Sequence, residues 1–339
     1  KMDLNAGNPV EWSHLPSLPE DSGRAGSFAG VSNEALFCMG GTGFPDKLPG
    51  NGGHKKWYED IYMLQKGKTW VKIKEKLPCP LAYGVSISYK ENIILIGGNN
   101  GDQYSNKTFG YRWNGEFLQS LTYPDLVVSL ANMAGALVNN LAIIVGGNSS
   151  PKGLAIKKCY ALDFENLEMG WFEFEPWPGP ERLFPGCASF KGQFYLFSGE
   201  TVGISAGNVR FRHILQDAYR LIPMQSNGIW TGSWQKLAPM PRGMSAGGSP
   251  VPVLNEDHFF FWGGVDALTA LEEDPIMHPG ISKDILFYYP DTDTWQYAGK
   301  EETVKARVTV PVVYWNNQWG FISGEIKPGV RINTIIAVK

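Results

Sequence analysis

Six times along this 339-residue chain an apolar run ends in a glycine-containing pair: ALFCMGG to Gly41, IILIGG to Gly98, AIIVGG to Gly147, FYLFSGE to Glu200, HFFFWGG to Gly264 and WGFISGE to Glu325. The intervals are 57, 49, 53, 64 and 61 residues, a period typical of repeat architectures. A strand of small residues precedes each run (AYGVSISY, PGCASF), and a variable loop followed by an aromatic or branched strand comes after it (DIYML, ILFYYP). A fourth element closes five of the units with an aromatic residue, often beside a proline turn (TWVKIKEKLPCP, SWQKLAPMP). The sixth closure lies at the other end of the chain, in EWSHLPSLP with Trp12, which has no unit of its own.

Four short antiparallel strands repeated six times, with the chain ends interlocked in one unit, predict an all-β, six-bladed β-propeller over residues 1–339. The N-terminal strand, at about residues 8–19, is expected to complete the last blade. A linear solenoid would need a polar cap at each end, and this chain has a split unit instead. The 40 glycines and 23 prolines suit many tight turns, while 12 tryptophans, 14 tyrosines and 18 phenylalanines suit pleated surfaces. The glycines and tryptophans read as scaffold, with the tryptophans packed between blades.

A formal charge of -3, from 30 basic and 33 acidic side chains, shows no nucleic-acid footprint and no polybasic membrane patch. No apolar run approaches the roughly 20 residues that span a bilayer, so no membrane insertion is expected. KMDLNAGNPV lacks the apolar core of a signal peptide, which implies either a cytosolic protein or a trimmed chain. Cys38, Cys79, Cys159 and Cys187 follow no C-x-x-C spacing and read as buried or incidental thiols. The five histidines share no metal spacing, and no metal or cofactor is expected.

The apolar strand into Gly-Gly, the Tyr-bearing strand and the Trp-led strand resemble the kelch repeat over nearly the whole chain. More specifically, SGEIKPGVR (Ser323 to Arg331) resembles the G-E-x-K-P-G-x-R segment of the bacterial N-acetylneuraminate (sialic acid) mutarotases, or epimerases, which are six-bladed kelch propellers. GSFAGVSNEALFCMGGTGF and LAYGVSISYKENIILIGG also resemble segments of that family, where they follow the Glu-Arg segment rather than precede it. The resemblance therefore implies a cyclically permuted form. It also implies a bacterial, periplasmic isomerase of carbohydrate metabolism, which interconverts the α and β anomers of a small anionic sugar.

Opening and closing a 2-keto sugar acid ring at C2 requires proton transfer at the ring oxygen and at the anomeric hydroxyl, which a positioned carboxyl can supply. The substrate's carboxylate suits a guanidinium, which grips it bidentately. Glu325 and Arg331 match the family's pair and are assigned as acid/base and as carboxylate binder. Glu325 reads as replacing the second glycine of its unit, at the strand end facing the axial opening, and Lys327, Pro328 and Gly329 read as a turn returning Arg331 to it.

Four further arginines, Arg24, Arg182, Arg242 and Arg307, lie at or just before inner strands. They either ring an axial mouth as substrate-binding groups or pair with acids of neighbouring blades; Leu81 holds the equivalent place in the second unit. Glu200 is the other break in the Gly-Gly rule and reads as a rim or supporting group. Lys327 either adds charge at the substrate or faces water. ALTALEEDPIMHPG reads as a short helical insertion over the opening, with its acidic cluster turned to solvent. The rival to an enzyme is a non-catalytic kelch propeller that binds a protein or a sialylated glycan. Nothing in the sequence sets the oligomeric state.

Overall fold

The computed structural model describes residues 10–339, so residues 8 and 9 of the expected first strand lie outside the described residues. Six four-stranded antiparallel sheets form the blades of a β-propeller. Blade 1 runs outward through Phe28–Ser32, Ala35–Met39, Asp60–Leu64 and Val71–Lys76. Blades 2 to 5 occupy residues 85–122, 131–174, 186–237 and 253–300. Blade 6 joins Val312–Trp315, Gln318–Ile322 and Ile335–Val338 to the N-terminal strand Trp12–Leu15, with Trp12 opposite Val338 and Leu15 opposite Ile335.

Around the axis the blades are closed by a ring of six backbone hydrogen bonds. Gly26 N–H donates to Thr309, Tyr83 to Gly26, Asn132 to Tyr83, Phe184 to Asn132, Ala246 to Phe184 and Thr309 to Ala246, over 2.7–3.0 Å. All six residues adopt a left-handed backbone, with φ between 49° and 63°. For Phe184 and Thr309 this conformation is a genuine outlier. It turns each amide along the circumference toward the neighbouring blade instead of into its own sheet.

A second set of contacts runs through the glycine pairs. The second glycine of each pair donates to the following blade, as from Gly41 to Leu81 O at 2.9 Å and from Gly324 to Arg24 O at 2.8 Å. The first glycine leaves no room for a side chain, since a Cβ on Gly40 would lie 2.3 Å from Leu81 O. In blades 4 and 6 a serine stands there instead, and its hydroxyl becomes the inter-blade link. Ser198 Oγ accepts from Met244 N at 2.7 Å, and Ser323 Oγ accepts from Arg24 N at 2.7 Å.

At the blade exteriors the indole N–H groups of Trp70, Trp171, Trp234 and Trp295 donate to Pro16, Pro124, Glu175 and Ala238 at 2.6–3.0 Å, each carbonyl belonging to the preceding blade's outer end. Trp12 instead packs its ring 4.9 Å from that of Trp262 in blade 5.

The four arginines considered above for an axial mouth are clamps inside their own blades. Arg24 donates to Gly40 O at 2.8 Å, Arg182 to Ser198 O at 2.8 Å, Arg242 to Gly263 O at 3.1 Å and Arg307 to Ser323 O at 2.9 Å, in each case the end of the second strand. The same guanidiniums reach the start of the third strand: Asp60 O and Asp284 O in blades 1 and 5, the Asp217 carboxylate in blade 4 and Thr334 O in blade 6. Arg24 and Arg182 are fully buried and Arg307 is 1% exposed. A long side chain of five donors is what three converging strand ends require, which is why arginine recurs at this place.

Arg182→Met should lower the free energy of unfolding by about 3 kcal/mol, because it strands Asp217 and the Ser198 carbonyl. Denaturant unfolding measures this. Unchanged stability with lost ligand affinity would return Arg182 to the substrate.

Candidate functional site

In three blades the connection between the second and third strands forms a two-stranded hairpin. Thr42–Gly43 pairs with Lys56–Trp57 in blade 1, Glu200–Ile204 with Arg210–Ile214 in blade 4, and Glu325–Lys327 with Val330–Arg331 in blade 6. The blade-6 hairpin is short enough to put Glu325 directly opposite Arg331. Its turn leans on blade 1: Gly329 has φ 75°, and a Cβ there would come within 2.5 Å of Pro49 Cγ. The Arg331 guanidinium lies over the Phe44 ring of blade 1, 4.6 Å from its centre.

Arg331 Nη2 meets Glu325 Oε2 at 2.9 Å. The Arg331 side chain is only 4% exposed, yet its Nε and Nη1 are buried with no hydrogen-bond partner. Leaving a buried donor unpaired costs about 1–3 kcal/mol, so such a guanidinium is poised for an incoming oxyanion. Burial pushes the Glu325 carboxyl above the usual glutamate range. The charges of Arg331 and Lys55 and a hydrogen bond from the Gly329 backbone pull the other way without cancelling it.

Both residues line a cavity of about 950 Å³ on the hairpin face of the propeller. The floor comes from the axial ring, as Tyr83, Asn132, Phe184 and Thr309 all line it. Lys55 and Trp57 enter from the blade-1 hairpin, and Asn99 and Tyr104 from blade 2. The Trp57 Nε1 and Thr309 Oγ1 atoms are also buried without partners, which adds two polar groups to those of Arg331. Tyr104 shares hydrogen bonds with Asn132, at 3.3 Å, and Asn132 with Asn148, at 2.9 Å, giving the cavity an amide-rich side.

The position expected for Glu325 needs correction by one residue. Bridges pair Ala25 with Thr42, Ala82 with Asn99, Ala131 with Asn148, Leu183 with Glu200, Ser245 with Val265 and Val308 with Glu325. Glu325 therefore follows the glycine pair rather than replacing its second member, and it is the first residue of Ser-Gly that departs from the rule. This sets Glu325 beside the ring residue Thr309 and over the floor.

The remaining candidates are not brought to the cavity. Glu200 is buried and occupied: Arg212 donates to it through Nε at 3.2 Å and Nη2 at 2.7 Å, and the Ser245 hydroxyl does so at 2.7 Å. Lys327 sits on the blade-6 hairpin but does not line the cavity, nor do Arg24, Arg182, Arg242 and Arg307. The insertion of blade 5 forms one 3-10 turn, Thr269–Leu271, and beyond it Glu273, Asp274, Pro275 and Ile276 line the cavity, so the acidic cluster is not a purely solvent-facing surface. Lys55, Trp57, Phe44, Tyr83 and Asn132 were missed. Tyr83 and Asn132 occupy corresponding places in their units and were findable by aligning the repeats, whereas Lys55 lies in a variable loop without a local signal.

Residues 1–119 match the family model described as N-acetylneuraminate epimerase. Among curated proteins, an N-acetylneuraminate epimerase of Haemophilus influenzae (strain 86-028NP) is 38% identical over 103 residues, covering 26% of this chain and 27% of that protein. One of Yersinia pestis (strain Pestoides F) is 37% identical over 110 residues, covering 28% of each. The chain thus spans about a quarter of the length of the curated relatives it matches. The solved structure of YjhT superposes with a TM-score of 0.68 at 16% identity, covering 96% of this chain and all of that one, and shares the propeller fold. The resemblance stated from the sequence is thereby supported, as is the six-bladed architecture. Phe44, Lys55, Trp57 and Tyr83 fall inside the matched stretch, and Glu325 and Arg331 outside it.

The Glu325 carboxyl should titrate above about 4.3, the ordinary glutamate value, when followed by side-chain carbon NMR, and higher still in Arg331→Met. Because the folded chain keeps this proton to a higher pH than the unfolded chain, the group's contribution to stability falls as pH rises from the unfolded value toward the folded one. A midpoint at or below the ordinary value would contradict the burial described.

Proposed function

We propose that the protein is a mutarotase for N-acetylneuraminate, an isomerase that interconverts the α and β anomers of this sugar acid in the bacterial periplasm, on a cyclically permuted propeller. The observation that carries this reading is a buried carboxyl of raised proton affinity held against an arginine with two unpaired buried nitrogens in one ligand-sized cavity. The family match over residues 1–119 and the names of the relatives support the choice of substrate.

In this reading the substrate carboxylate takes an open nitrogen of Arg331, Nε or Nη1, which brings C2, the carbon bonded to it, next to Glu325. Glu325 in its carboxylate form accepts the proton of the anomeric hydroxyl while the bond from C2 to the ring oxygen breaks, and it returns the proton to that oxygen. Rotation about the bond from C2 to C3 presents the other face of the ketone, and closure runs the same transfer in reverse. No proton is gained or lost over the cycle. Arg331 keeps Glu325 ionised often enough to act as a base, despite the burial that favours its protonated form.

Anomer exchange of N-acetylneuraminate, followed by NMR at micromolar protein, should be faster than in buffer alone. Glu325→Gln, nearly the same shape but unable to transfer a proton, should lose about 100- to 10,000-fold of the acceleration while still binding the sugar. In the unsubstituted protein the rate should fall as pH drops through the raised Glu325 value. Full activity in the glutamine variant would remove Glu325 from the chemistry, and no acceleration by the unsubstituted protein would leave a binding propeller.

A further inference from the structure

Lys55 projects from the blade-1 hairpin into the cavity that holds Glu325 and Arg331. Its ammonium lies over two aromatic faces of that cavity, 5.0 Å from the centre of the Trp57 ring and 4.6 Å from that of Tyr83. Among the described residues it has no ion-pair or hydrogen-bond partner, unlike Lys72, Lys76 and Lys107, which sit on carboxylates at 2.6–2.8 Å. The two rings are themselves fixed. Trp57 packs on Gly101, where a Cβ would lie 3.0 Å from the indole, and Tyr83 is a member of the axial ring with its phenol 2.9 Å from Thr42 Oγ1. Aromatic faces hold a cation in place without neutralising it, in contrast to a carboxylate.

We infer that Lys55 is the second cation for the substrate's carboxylate, closing with Arg331 a two-point clamp that selects sugar acids over neutral sugars. This rests on the reading of the cavity as a sugar-acid site. Blades 6 and 1 are neighbours around the axis, so Arg331 and Lys55 approach Glu325 from the two sides of one junction. A carboxylate held between them keeps the adjacent reacting carbon beside Glu325. That the charge of Lys55 also lowers the proton affinity of Glu325 agrees with this proximity. The other charged groups lining the cavity are Glu273 and Asp274, which come from blade 5 and would oppose an anion. This repulsion makes a second cation more useful to binding. An arginine would preserve the charge of Lys55, whereas methionine preserves much of its apolar stem and removes the charge.

The test is calorimetric titration of N-acetylneuraminate and of its methyl ester, the same sugar without the charge, into the unsubstituted protein, Lys55→Met and Lys55→Arg. Lys55→Met should weaken binding of the acid by about tenfold and that of the ester by less than about twofold, and Lys55→Arg should restore most of the loss for the acid. Equal losses for acid and ester would reduce Lys55 to packing on Trp57 and Tyr83 and overturn the inference, as would an unsubstituted protein that does not prefer the acid. Charge-dependent binding by Lys55 without faster anomer exchange would keep the clamp and remove the mutarotase reading, so the two fail separately.

Discussion

The ring of six inter-blade hydrogen bonds about the axis is the constraint from which the rest of the molecule follows. Each link requires a left-handed residue at the inner end of a blade, a conformation that Gly26 and Asn132 adopt readily and Phe184 and Thr309 do not. Where the residue is bulky or β-branched, the strain is offset by closing the circle, because an open array of sheets would leave these amides and carbonyls unpaired at a buried site. The cost also places side chains. Tyr83, Asn132, Phe184 and Thr309 become the floor of the cavity, so the bond pattern that shuts the propeller also furnishes its binding surface.

With the ring closed, the blade ends are clamped in two different ways. Arginines tie three strands together within blades 1, 4, 5 and 6, while glycine amides or serine hydroxyls tie each blade to the next. Ser-Gly-Glu appears in the two blades that carry an acid-led hairpin, and in both the acid meets an arginine on the returning strand. The difference lies in what remains unsatisfied. Glu200 is enclosed by Arg212 and Ser245, an internally complete network, whereas the Glu325 and Arg331 pair leaves two guanidinium nitrogens open in a cavity. Completed networks hold structure, and incomplete ones at a concave surface bind ligands.

Much of the architecture was legible because the repeat is written in residues that have few alternatives. A glycine pair is demanded by the close approach of the next blade's carbonyl, and a tryptophan by the reach from one blade's outer end to that of the preceding blade. The exact register of the pair was not legible, because a serine at φ 64° in place of Gly gives no local sign of its conformation. The arginines were ambiguous for a related reason: a guanidinium suits an anionic ligand and a cluster of strand-end carbonyls equally well, and only burial separates the two. Lys55 was invisible because its meaning comes from Trp57, Tyr83 and a hairpin some 270 residues away in sequence, which are brought together only by closure of blade 6 against blade 1.

The central claim is geometric: the cavity orients a sugar acid by its charged end so that its anomeric carbon faces Glu325. A crystal structure of the Glu325→Gln variant soaked with N-acetylneuraminate tests this most directly. The sugar's carboxylate should lie within hydrogen-bond distance of Arg331 Nε or Nη1, with the anomeric oxygen or ring oxygen within reach of the side chain at position 325. A sugar bound on the opposite mouth of the propeller, or bound in this cavity with its carboxylate turned away from Arg331, would contradict the account.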